Sequence, residues 1–313
     1  GDDGAMHIGI IGAGIVGIQC AHELLDAGHG VTLIDPDGLA ERTSSRNAGF
    51  IAHTDIAPLA SPKIWRHVPR WLADPTGPLS IRPAYALQAL PWMLRFSRAS
   101  SPARVEASTR ALIALNGLAL PAWERRLSRL GLLDRHLRRR GYLYVWGDKS
   151  DFRAAQRGWI ADQRAAGIPV EILADTAAVR RLEPAFGGAT VGGAYYPTGC
   201  HVDNPAAVSK ALGEAALARG ARLVEREVAR LAPIEGGVEV RLDDATTAAF
   251  DLAVVAAGAW SRPLAGMLGD SVPLDTERGY NLTLAKGALG IGRPIILEGQ
   301  GVALSAFDDC DRI

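Results

Sequence analysis

The sequence predicts an α/β protein in which a Rossmann-like dinucleotide-binding domain is interleaved with a mixed-sheet α+β domain. Three observations carry this expectation. An apolar stretch, HIGII at 7–11, runs directly into GAGIVG at 12–17. An acidic residue, Asp35, follows about 20 residues on, at the end of the next apolar stretch. A second apolar run, VVAAG at 254–258, ends in small residues far along the chain, so that a long insertion must split the first domain.

The elements follow in order. Residues 7–11 form a strand, and Gly12 to Ala27 a turn entering a helix. Gly14, Gly17, Ile18, Ala21, Leu24 and Leu25 share one face of it, while Gln19, His22, Glu23 and Asp26 lie largely on the other. Gly28 closes the helix and Val31–Ile34 is the next strand. Residues 53–105 hold eight prolines, whose spacing disfavours a long helix or a central strand. Trp65, Trp71 and Trp92 there call for burial. A helical stretch at 103–130, interrupted near Pro121, precedes a strand at 141–146, a helix at 151–166 and a strand at 191–197. Asn204 and Pro205 look like the cap and first turn of a helix over 204–219. Short strands follow at 221–225, 227–232 and 237–242, then a buried apolar strand at 250–258. The expected partition is 6–52 with 202–265 for the dinucleotide domain and 53–201 with 266–313 for a substrate domain. Residues 1–5, GDDGA, read as a cloning scar.

Composition narrows the classes of function. The 313 residues carry 34 basic and 34 acidic side chains, so no global field points to nucleic acid or an anionic membrane. The run Arg138-Arg139-Arg140 reads as a solvated loop. Three cysteines, Cys20, Cys200 and Cys310, lie far apart without a CxxC spacing. Neither a disulfide framework nor a metal site is expected, and reduced thiols suit the cytoplasm. No run reaches the roughly 18 apolar residues of a membrane span, which leaves peripheral contact with the inner face of a membrane open.

Within GAGIVG, Gly12 permits a tight turn, Gly14 lets the backbone approach a pyrophosphate, and Gly17 lets helix and strand pack closely. The helix N-terminus offers oriented N–H groups to phosphate, and Asp35 would accept from ribose hydroxyls. NAD and FAD share this fingerprint. TSSRNAG at 43–49 adds a polar loop where another apolar helix would be ordinary. Ser44 and Ser45 can bond phosphate or ribitol oxygens, Asn47 can orient either, and Ala48 with Gly49 leave room for a broad ring. An ordinary polar turn is the competing reading. In VVAAGAWS at 254–261, Ala257 and Gly258 would admit a ligand near the strand's carboxyl end.

Taken with SSRNAGF, the Pro-rich SIRPAYALQALPWMLRF, RRLEPAF, GGAYYPTGCHVDNP, VVAAGAWS and ERGYNL, the chain resembles the FAD-dependent amine and amino-acid oxidoreductases of the D-amino-acid oxidase group. It is most similar to the bacterial D-amino-acid dehydrogenase branch, with glycine and sarcosine oxidases as relatives. The likeness runs from Met6 to the last residue, and family chains continue further, so a C-terminal portion is expected to be missing here.

The resemblance implies FAD as cofactor, held by Gly12, Gly14, Ile15, Val16, Gly17, Asp35, Ser44, Ser45, Asn47, Ala48, Gly49, Ala257, Gly258 and Trp260, with the Val228 backbone at the adenine. It implies hydride transfer from the substrate α-carbon to flavin N5, the imine then hydrolysing to keto acid and ammonia. Oxygen or a quinone would accept the electrons. Arg278 of ERGYNL suits the substrate carboxylate because its planar fork binds both oxygens. Tyr280 would be pocket wall or hydroxyl donor, and a strand with a structural Arg278 ion pair to Glu277 or Asp275 is the alternative. His53, close after the flavin loop, could face the ring; His201 is the other candidate histidine. Three rivals stand beside amino-acid deamination: oxidation of secondary or cyclic amines such as sarcosine, proline or hydroxyproline, an NAD(P)-dependent dehydrogenase, and a non-catalytic flavin-binding subunit.

Overall fold

The computed structural model describes residues 4–62, 86–276 and 278–313, with the side chains of 86–89 left out. The chain divides into two compact units, Gly1–Gly49 with Asp203–Leu282, and Phe50–Val202 with Thr283–Ile313. The stretch 266–282, expected with the substrate domain, therefore lies in the first unit.

In the first unit, four parallel strands stand in the order Leu252–Val255, His7–Ile11, Gly30–Ile34, Arg222–Val224. The apolar run HIGII is central, and Ile8, Ile10 and Ile11 are buried, as a strand covered on both faces requires. The helix Ile15–Asp26 and the helix Pro205–Ala218 pack with this sheet around Ile10, Ala21, Val31, Leu33 and Ala216. Asn204 caps the second helix, its Oδ1 accepting from the Ala206 N–H at 2.8 Å, and Pro205 occupies the first turn. An antiparallel meander, Val228–Ile234, Gly237–Leu242 and Thr247–Phe250, buries Leu231, Val240 and Phe250 against Ile11 and Ile34. The strand expected over 250–258 is shorter, Leu252–Val255, and only half-buried, because it is the edge of its sheet.

His22 departs from its expected exposed face: it is fully buried. Its Nε2 lies 2.9 Å from the Leu212 carbonyl oxygen, and its Nδ1 lies 2.9 Å from Arg219. The carbonyl can only accept, so Nε2 donates to it and Nδ1 accepts from the guanidinium. The facing helix supplies both partners, which no pattern local to 15–26 encodes.

The second unit is built on a seven-stranded mixed sheet, Thr283–Ala285, Cys310–Arg312, Val302–Ala306, Ile295–Glu298, Tyr142–Trp146, Gly192–Tyr196, Glu171–Leu173. Only Ile295–Glu298 against Tyr142–Trp146 is parallel. Its core is aromatic: Tyr142 stacks on Tyr196 with ring centroids 5.3 Å apart, and Trp146 packs on Phe152 at 5.0 Å. The buried rings satisfy their polar ends internally. Tyr142 bonds Thr54, and Tyr196 donates to Gln163 Oε1 at 2.6 Å.

Several local expectations are corrected. A helix over Ala86–Ala99 tolerates Pro91 in its interior. Trp92 is half exposed and stacks on Phe96 at 5.0 Å instead of being buried; Trp65 and Trp71 lie outside the described residues. The helical stretch breaks at 117–118, with Pro121 in the first turn of Ala119–Arg129 where a missing N–H is harmless. Gly158 divides 149–165 into two helices. Arg138 and Arg139 are not simply solvated, since Arg138 bonds Asp308 and Arg139 donates to Glu124 at 2.7 Å.

Candidate functional site

The glycine-rich turn has the geometry its residue types suggest. Gly12 holds φ +106°, where a side chain is strained, and a Cβ there would lie 2.4 Å from the Ala256 oxygen. A Cβ on Gly17 would lie 1.9 Å from the Gly12 oxygen, so only glycine lets the helix sit this close to its strand. Parallel pairing of Ile11 with Val255 brings Ala256 and Ala257 beside Gly12, and the Ala256 N–H donates to the Ile11 oxygen at 2.8 Å. Two stretches distant in sequence thus meet at one crevice.

The polar loop closes on the same place. Thr43–Ser45 is a 3-10 turn, and the Ser44 hydroxyl accepts from the Ile15 N–H at 2.9 Å. The first N–H groups of a helix have no partner within it, and Ser44 oxygen stands where a phosphate oxygen would be received. Ile15 and Val16 begin the helix, with Val16 largely exposed. Ser45 folds back on the Arg42 oxygen at 2.7 Å. Asn47 braces the loop twice, donating to the Ser44 oxygen at 3.0 Å and accepting from the Gly49 N–H at 2.8 Å. Gly49 takes φ +76° at the end of this turn, after half-buried Ala48.

Asp35 lies at the end of its strand with both oxygens engaged by backbone, Oδ2 by the Ala13 N–H at 2.9 Å and Oδ1 by the Asp37 N–H at 3.0 Å. Each oxygen keeps a lone pair for a hydroxyl donor. Beyond it, an open pocket is lined by Asp37, Glu41, Arg42 and Arg46. Gly258–Trp260 forms a 3-10 turn in which the Trp260 N–H donates to the Ala257 oxygen at 3.0 Å. The Trp260 ring lies 4.2 Å from the Arg42 guanidinium. Val228 begins its strand half-buried beside the apolar cluster of the meander.

Arg278 and Tyr280 lie on an exposed, irregular stretch; the strand begins only at Thr283, and Glu277 is outside the described residues. Tyr280 is 86% exposed. Sequence reasoning missed Asn281, whose Nδ2 donates to the Arg46 oxygen at 3.2 Å and ties ERGYNL to the polar loop. Arg42 was missed as well. Arg42 carries no motif of its own and Asn281 lies within ERGYNL without marking its contact, so only chain folding makes them neighbours of the crevice.

His53 belongs to the second unit. Its Nδ1 lies 3.0 Å from the Ile51 oxygen and donates to it, while Nε2 is buried and without a hydrogen-bond partner. His201 is almost wholly buried between the strand partners Phe50 and Arg138. Burial, and then the Arg140 and Arg138 charges, lower its pKa to about 4, so it is neutral at pH 7. Burial, and then the Asp55 carboxylate, push the Glu298 carboxyl above its ordinary range. Among the described residues no group of His, Cys, Asp or Glu is disposed to hold a metal ion.

A family model described as FAD dependent oxidoreductase matches residues 7–309. The chain belongs to this family. The D-amino-acid oxidase of Bradyrhizobium diazoefficiens is 35% identical over 281 residues, 89% of this chain and 66% of the relative. D-amino acid dehydrogenase 2 of Ralstonia nicotianae is 34% identical over 299 residues, 92% of this chain and 68% of the relative. The chain thus spans about two thirds of the length of these curated relatives. Among solved structures, glycine oxidase from Geobacillus kaustophilus matches with a TM-score of 0.68 at 19% identity, over 98% of this chain and 70% of that one. L-proline dehydrogenase from P. horikoshii matches at 0.65 and 17%, over 98% and 69%. At these identities the structural likeness establishes the fold. Membership of the FAD-dependent family decides between the two dinucleotides that the glycine fingerprint alone left open, and the cofactor is FAD.

Proposed function

We propose that the protein is an FAD-dependent amino-acid oxidoreductase that oxidatively deaminates a D-amino acid to keto acid and ammonia. The observation that carries this is the single crevice in which Gly12, Ala256 and the Ser44 hydroxyl at the Ile15 N–H come together. The D-amino-acid activities in the names of the two relatives supply the substrate class.

The residues fit the cofactor. The N–H groups of Val16 and Gly17, with Gly14 and the Ser44 hydroxyl that holds the Ile15 N–H, would receive the pyrophosphate, and Asp35 would accept from the ribose hydroxyls. The Val228 backbone serves the adenine. Ser45, Asn47, Ala48 and Gly49 would hold the flavin side, together with Ala257, Gly258 and Trp260. When bound, the flavin supplies a hydride acceptor for the substrate α-carbon. Arg278 binds the substrate carboxylate through its planar fork, Tyr280 forms a wall or donates a hydroxyl, and Asn281 steadies their segment on the Arg46 oxygen. Oxygen or a quinone takes the electrons onward.

No helix among the described residues is long and apolar enough to cross a membrane. Peripheral contact with an anionic membrane face is supported by exposed Leu90, Trp92, Leu94 and Leu115 on Ala86–Ala99 and Pro102–Asn116, which also carry Arg95, Arg98 and Arg104, while Arg110 is paired with Glu106. Sedimentation with anionic but not neutral vesicles is the expected result.

The deciding experiment uses full-length protein. Its absorption spectrum should show bound flavin, and anaerobic addition of D-amino acids should bleach it. Bleaching by N-methyl or cyclic amines alone would transfer the reading to those substrates, and bleaching by none would end it. Arg278→Leu should raise the KM strongly while flavin content stays intact; an unchanged KM removes Arg278 from the site.

A further inference from the structure

The contacts around the crevice form a closed circuit. Gly12 abuts Ala256 and Ala257, and Trp260 follows three residues on, presented by its own 3-10 turn. The Arg42 guanidinium lies over the Trp260 ring at 4.2 Å. Two residues beyond Arg42, the Ser44 hydroxyl returns to the Ile15 N–H at 2.9 Å. Backbone pairing, packing or hydrogen bonds make every link but one. The exception is the Arg42–Trp260 stack, a side-chain contact between segments that the sheet does not join to each other.

Three further observations show that this link is built rather than casual. Arg42 Nε also donates to the Asp37 carboxylate, so the guanidinium is held at its edge while its face meets the ring. Asp37 is in turn fixed by its N–H to Asp35 Oδ1 at 3.0 Å, which couples the stack to the ribose-binding carboxylate. Arg42 and Asp37 line the open pocket beyond Asp35 together with Glu41 and Arg46. The link can also open, because the Arg42 side chain is 41% exposed and Trp260 is 48% exposed. A cation over an indole in such a setting is a weak, reversible contact.

We propose that the Arg42–Trp260 stack is the clasp that closes this circuit around the bound dinucleotide and sets how fast the dinucleotide is released. The inference rests on the FAD-binding reading of the crevice. It assigns Arg42 and Trp260 a holding role, distinct from any step of substrate oxidation.

The test measures the FAD release rate of full-length holoenzyme, followed by recovery of free flavin fluorescence after dilution. The variants are Arg42→Gln, Trp260→Leu, Trp260→Phe and the double Arg42→Gln/Trp260→Leu. Each of Arg42→Gln and Trp260→Leu should speed release about three- to tenfold, the range a partly exposed cation–π contact supports. Trp260→Phe should fall between wild type and Trp260→Leu. The double variant should release no faster than the faster single one, because both remove the same link. Unchanged release in the singles, or multiplicative effects in the double, would overturn the clasp. Thermal unfolding of the apoproteins should not separate the variants, and a drop in Tm matching the change in release would instead show a purely structural role. A wild-type protein that carries no flavin would defeat the underlying reading, an outcome distinct from a flavoprotein with an indifferent clasp.

Discussion

The two units bury their polar groups in opposite ways. In the first, the candidate crevice is made from backbone and small side chains, Gly12, Gly17 and Ala256, at a helix end. In the second, polar side chains are sealed among rings: Thr54 and Gln163 serve Tyr142 and Tyr196, and His201 is 1% exposed. A backbone-built site tolerates no added atoms, whereas a ring-built core tolerates no unpaired donors or charges. The same substitution type should therefore wound the two units unequally.

Gly17→Ala should show the largest effect. Its Cβ would meet the Gly12 oxygen at 1.9 Å, so helix and strand must part, at a cost of about 3 kcal/mol or more in urea unfolding, with loss of bound flavin. Gly147→Ala in the second unit meets nothing within 4 Å and should stay within about 1 kcal/mol of wild type. Equal losses at the two glycines would erase the contrast.

Acid should break the second unit first. His201 has a folded pKa of about 4, below the ordinary value of 6.5, so the unfolded chain binds the proton more readily. The stability from keeping it neutral is complete above pH 6.5 and is lost as pH falls towards 4, about 3 kcal/mol at 1.36 kcal/mol per pH unit. Denaturant titrations at pH 7 and 4.5 should show this loss, and His201→Gln should flatten it. A next smaller effect is expected of Tyr196→Phe, which takes the donor from Gln163 Oε1 and should cost about 1–2 kcal/mol by chemical unfolding. Smallest is Asn204→Ala in the first unit, where losing one helix cap should cost about 1 kcal/mol.

The contrast also explains what could be read beforehand. Gly12 and Gly17 were legible through residue type and spacing, because a close approach admits only glycine, and Asp35 was legible as the end of its strand. Asn204 and Pro205 were legible for the same local reason. His22 was misplaced because its partners, Leu212 and Arg219, come from a helix beyond the insertion. Trp92 was expected inside because it is large and apolar, yet its helix leaves it half exposed. The contacts of Arg42 and Asn281 were not legible, although Asn281 lies within ERGYNL, since each meets a partner remote in sequence.

Residue order by itself determined the β-α-β opening, the identity of the glycines and the separation of the crevice's two halves along the chain. Those features follow from short-range sterics and periodicity, which a few adjacent residues contain in full. Tertiary structure alone decided that Ala256 would lie against Gly12, that Arg42 would stack on Trp260, that Asn281 would hold Arg46, and that His201 would be buried and neutral. Such pairings depend on which sheet edge, helix face or loop a distant segment reaches, and that is settled only when the whole chain is packed.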